Sequence, residues 1–136
     1  MLKASFKNIL LYILVKYLLF YVFMMFKNND FRLLHFYNLK NGEDWFYYLW
    51  LVLFMPVLSM ILFSAPIYFI FKTKKAIYFI LLMSIILVAE YFLYTYFVSQ
   101  LDLMNGVYNE IISLLVLLLF FYRQIGLIFK KKSIAV

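Results

Sequence analysis

Three ionisable side chains stand inside otherwise apolar stretches of this chain: Lys16, Glu90 and Arg123. A charge held in hydrocarbon costs about 2.5–3.5 kcal/mol on insertion scales unless it meets a counter-charge, a headgroup or water. Lys16 falls near the middle of its stretch, Glu90 somewhat past the middle of its own, and Arg123 toward the end of the last. Counted from the starts of two parallel helices at residues 5 and 76, Lys16 is 11 residues in and Glu90 is 14. At ~1.5 Å per residue the offset is roughly 4 to 5 Å, which a lysine side chain can bridge. The spacing therefore predicts an intramembrane Lys16–Glu90 pair. Glu90 could bind a proton or cation with Lys16 competing for it, as in an exchanger. The commoner use of such a pair is to fix which helices pack together, and either charge could instead reach a partner subunit.

Around the pair, Ser84, Tyr91, Thr95 and Ser99 recur at helical spacing on a face next to that of Glu90. They suit a polar path, or hydrogen bonds to neighbouring helices and to their own backbone. Arg123, with Gln124, interrupts the apolar run 111–122. It can snorkel to the near headgroups, or meet an acidic partner or a lipid phosphate. Lys130, Lys131 and Lys132 follow as a cluster suited to anionic headgroups, or simply to anchoring the helix end.

Several chemistries are excluded. The sequence has no cysteine and one histidine, His35, so cysteine-based zinc, iron–sulfur and multi-histidine metal centres cannot be assembled from it. It contains no nucleophilic triad and no glycine-rich phosphate loop. Neither catalysis, a cofactor nor a metal site is expected. The net charge of +7 lies in short groups flanking the apolar runs, not along one face, which argues against nucleic acid and for a membrane surface.

The elements that must carry these residues follow from composition. Of the 136 residues, 68% are hydrophobic and 24% aromatic, well above what a water-soluble domain of this size uses. Apolar runs at about 5–26, 45–71, 76–99 and 110–129 each suffice for a hydrocarbon core of ~30 Å. The expected fold is all-α: a four-helix polytopic membrane bundle, a single membrane domain over residues 1–136. The first run is too long for a signal-peptide core and lacks a small-x-small cleavage site, so it reads as a retained span. In the second, Pro56 and Pro66 predict kinks, with Ser59 and Ser64 near enough to help satisfy the backbone groups they free.

Lys3 and Lys7, then Lys72, Lys74 and Lys75, then Lys130 to Lys132 alternate with connections that are acidic or mixed. By the positive-inside rule both termini lie on the cytoplasmic side. The first outer connection can form a short interfacial helix capped by Asp30, or an irregular loop against the bundle. Asn41-Gly42 then supplies a stop and Asp44 a cap for the second span.

Length and span number are similar to those of the small multidrug resistance transporters, which carry an acidic residue in the first span where this chain has Lys16. The four-span plan is also similar to that of immunity proteins against pore-forming bacteriocins. The expected role is a small non-catalytic subunit or accessory protein that contacts other membrane proteins, or itself, within the bilayer. The alternatives are a minimal oligomeric transporter or channel using Glu90 and Lys16, and an immunity or defence protein acting on another membrane pore. The wealth of Phe, Tyr, Ile, Lys and Asn points to an AT-rich coding sequence, consistent with a bacterial inner membrane or an organellar one.

Overall fold

The structure, a computed structural model, describes residues 3–98, 100 and 102–130, except for the side chain of Asn38. It is all-helical: α1 (Phe6–Asn28), α2 (Gly42–Ile70), α3 (Ala76–Phe97) and α4 (Leu103–Lys130), with 3-10 turns at Arg32–Leu34 and Phe36–Asn38. All four α-helices are long and apolar enough to cross a membrane. Leu18, Ile61, Ile85 and Leu119, with many other large apolar side chains, lie exposed on their outer faces. A surface of that kind is stable against lipid, not water.

Local signals explain the helix limits. Ser5 opens α1 by accepting a hydrogen bond from the Asn8 N–H at 3.3 Å. Asn29 closes it at φ 49°, a left-handed conformation that Asn tolerates better than most residues. At the start of α2 the Asp44 carboxylate accepts from the N–H groups of Asn41 and Lys40 at 3.2 and 3.1 Å. Gly42 is thus the first residue of α2, with Asn41 as its cap.

Helix α4 begins at Leu103, seven residues before the apolar run at 110. The Asp102 carboxylate accepts from the Met104 N–H at 3.0 Å at this helix start. Gly106, one turn on, lets α4 close against α3. A Cβ there would stand 2.7 Å from Tyr91 Cε2 and 2.9 Å from Thr95 Oγ1. Hydropathy alone misses these two turns because their contact is made by a glycine and polar groups.

Neighbouring helices pack in chain order: α1 on α2, α2 on α3, α3 on α4 and α4 back on α1. The result is a closed ring in which α1 and α3 stand diagonally. Ala4 near the start of α1 donates its N–H to the Gln124 side chain late in α4, so those two segments meet at one end of the bundle. Ile9, Tyr12, Ile13, Lys16, Tyr17 and Phe20 form the buried stripe of α1, a repeat of three and four residues that faces the centre. Across it, the ring of Phe20 meets Tyr94 edge-on at 5.2 Å, and Phe71 meets Phe121 at 4.9 Å.

Helix α2 is continuous through both Pro56 and Pro66. Proline at 56 has no N–H for the carbonyl of Val52, four residues earlier. That carbonyl instead accepts the Tyr21 hydroxyl of α1 at 3.0 Å. Repair thus comes from a neighbouring helix, whereas Ser59 is engaged with Tyr17.

The connection from α1 to α2 is held by side chains. Asp30 pairs with Arg32, whose guanidinium and N–H hold the Asp30 carboxyl down at about 2. Tyr48 donates to the Leu33 carbonyl at 2.8 Å, and the Phe36 ring stacks near Trp45 at 6.4 Å.

Candidate functional site

The expected pair is present at the centre of the bundle. Lys16 and Glu90 are 2% and 3% exposed, and the Lys16 ammonium contacts Glu90 Oε1 directly. Because α1 and α3 are diagonal, the contact crosses the bundle axis.

Four hydroxyl-bearing residues complete the pair. Tyr17 donates to Glu90 Oε1 at 3.0 Å and shares a 2.7 Å hydrogen bond with Ser59 Oγ. With its single proton committed to the carboxylate, Tyr17 accepts from Ser59. On the other side the Lys16 ammonium donates to Ser113 Oγ at 3.4 Å. Tyr12 lies 2.7 Å from the same Oγ and 3.3 Å from the Ser113 carbonyl. The ammonium also stands 4.8 Å from the centre of the Tyr17 ring, whose π-face favours a cation. Tyr12, Lys16 and Tyr17 come from α1, Ser59 from α2, Glu90 from α3 and Ser113 from α4. One polar network therefore ties all four helices.

Energetically such a network is asymmetric. Desolvating two ions costs several kcal/mol each, and their attraction with full hydrogen bonding roughly offsets that. Removing one partner leaves the other charge stranded. By that balance the penalty falls on any arrangement that separates the two charges.

One turn from Ser113 toward the start of α4 lie Asn109 and Glu110. Asn109 is 1% exposed and donates to Glu110 Oε1 at 3.3 Å. In the sequence Glu110 stands at the notional start of the fourth apolar run, where a charge draws no notice. The spacing Gly106, Asn109/Glu110, Ser113, Val116/Leu117 was the available signal, since these share one helix face. Beyond it, the Lys27 ammonium reaches Asn105 Oδ1 at 3.1 Å and lies 4.0 Å from the Asp102 carboxylate.

The expected polar face of α3 divides. Tyr91 and Thr95 pack against α4 at Gly106. Ser84 is exposed on the outer surface, apart from the pair. Ser99, Lys131 and Lys132 lie outside the described residues. Arg123 is exposed on α4 and makes no ion pair among the described residues. It borders an open notch of about 510 Å³ with Tyr122, Gly126, Leu127 and Lys130. Among the described residues, no group of three His, Cys, Asp or Glu side chains is placed to hold a metal ion.

Fold and site together define an all-helical protein of the multi-pass membrane type with a charge network at its core. Comparison with protein-family models, with curated proteins and with solved structures finds no match. Its functional reading therefore comes from its own geometry.

Proposed function

We propose that this chain is a small non-catalytic membrane subunit that acts through lateral contacts with other membrane proteins in a larger complex. In this reading both ends lie on the cytoplasmic, lysine-rich side, in a bacterial inner membrane or an organellar counterpart. Arg123 carries the reading. It is exposed on α4 and has no counter-charge among the described residues, seven positions before Lys130. That is roughly 10 Å before the described end of α4 at ~1.5 Å per residue, but level with Ala4 near the start of α1, whose N–H bonds the neighbouring Gln124, so the guanidinium stands at one end of the bundle and faces outward. An acidic side chain of a neighbouring membrane protein at that level can pair with it, and a bidentate guanidinium–carboxylate pair fixes orientation as well.

Helix α2 offers a second contact face. The rings of Phe46, Trp50 and Phe54 follow one another at 6.4 and 5.0 Å, and Phe54 reaches Phe97 at 6.0 Å. Rings held by one another lose little freedom when a partner docks. The direct Lys16–Glu90 contact, with Ser113 accepting from Lys16 and Tyr17 donating to Glu90, supports an architectural role for that pair. A second reading, a minimal oligomeric transporter or channel, is favoured by the buried Asn109 and the half-buried Glu110, which lie one turn from Ser113 of the central network.

The test is mild-detergent purification of the tagged protein from its native membrane, with Arg123→Glu in parallel. The reading expects a stoichiometric membrane partner that the variant loses and that reversing an acidic residue on the partner restores. A lone homo-oligomer indifferent to the substitution, or loss of only a bound anionic lipid, would overturn it.

A further inference from the structure

Three buried oxygen atoms face no hydrogen-bond donor among the described residues: Thr95 Oγ1, Asn109 Oδ1 and Glu110 Oε2. Such acceptors are rare, because each gives up hydration on the order of 1–3 kcal/mol for nothing in return. The helices gather these three on one seam. Thr95 Oγ1 on α3 comes within 2.9 Å of the place a Cβ would occupy at Gly106. Asn109 and Glu110 follow Gly106 by three and four residues, on the same face of α4. The Asn109 amide nitrogen is occupied by Glu110 Oε1 at 3.3 Å, so its oxygen is the free end of a residue only 1% exposed.

Charge adds a second requirement. Glu110 is within electrostatic reach of Lys16 on α1 and Glu90 on α3. Among the described residues, the other titratable groups facing these charges are Tyr12 and Tyr17 of α1 and Tyr91 of α3. One ammonium stands against two carboxylates, and Glu90 already takes it. With both carboxylates ionised, this interior lacks one positive charge. Water could satisfy the oxygens but leaves that deficit.

We infer that the α3–α4 seam binds a single positive charge, either a proton on Glu110 or a monovalent cation held by oxygens of Thr95, Asn109 and Glu110. Oxygen-only ligands with one carboxylate suit a hard cation such as sodium. This site is independent of the lateral-contact reading, since it lies inside the chain and asks nothing of a partner.

Infrared difference spectroscopy on the full chain in lipid nanodiscs separates the sources. A bound proton gives a carboxylic-acid C=O band that shifts in D2O and is lost in Glu110→Gln. Bound sodium gives an ionised carboxylate band that moves when sodium chloride is exchanged for choline chloride, and Glu110→Gln abolishes that movement. Thr95→Val, which keeps the carboxylate, shifts the acid band in the first case and weakens the sodium response in the second. An ionised Glu110 whose band ignores sodium, in wild type and in Thr95→Val alike, means water alone fills the seam and overturns the inference.

Discussion

Lys16 and Arg123 are both cations set within apolar helices, and the fold treats them in opposite ways. Lys16 is sealed at the bundle axis, touching a carboxylate, a serine hydroxyl and an aromatic face. Arg123 projects from the outer surface of α4 beside an open notch. Lys16 is answered from within the chain, while Arg123, level with Ala4 at one end of the bundle, is answered by no ion pair among the described residues. An intramembrane charge thus marks a required interaction without saying on which side of the protein surface that interaction lies.

Perturbing each region sharpens the contrast. The largest effect belongs to single substitutions of the central pair. Lys16→Met or Glu90→Leu strands a buried charge and is expected to cost about 3–5 kcal/mol in reversible unfolding from mixed micelles. Next comes Gly106→Leu, whose side chain has no room beside Tyr91 and Thr95. Forcing α4 off α3 is expected to destabilise by about 1–3 kcal/mol, read by the same unfolding. Tyr21→Phe leaves the Val52 carbonyl without its donor opposite Pro56. The expected loss is about 1–2 kcal/mol, with faster hydrogen exchange around residue 56. Arg123→Gln is the smallest, changing unfolding free energy by no more than about 0.5 kcal/mol, because no contact within the described chain is lost. A large destabilisation there would place Arg123 with Lys16 and dissolve the contrast.

What was legible beforehand follows the physics of each feature. The four spans show in hydropathy because lipid selects composition along an entire helix. The Lys16–Glu90 pair shows because depth can be counted along parallel helices. The start of α4 at Leu103 does not, since its contact with α3 depends on what Gly106 lacks. Tyr12, Tyr17, Ser59 and Ser113 pass as ordinary span residues until the helices are set side by side, when their hydroxyls meet the charges. Ser84 shares a helical face with Tyr91, yet only Tyr91 reaches α4. That face flanks the buried stripe of α3, which runs through Ala76, Phe79, Met83, Glu90 and Tyr94, and Tyr91 meets α4 at Gly106, where α4 comes close. Pro56 announces a missing donor in the sequence, but that Tyr21 of another helix replaces it is a fact of packing.

The central claim, that Lys16 and Glu90 are one closed unit belonging to the fold, is most directly tested by a double-mutant cycle on unfolding free energy. The account predicts that Lys16→Met combined with Glu90→Leu recovers most of the stability that either loses alone, because no charge is then left unpaired. Additive losses in the double variant would contradict it, and would mean that each charge answers to a separate partner.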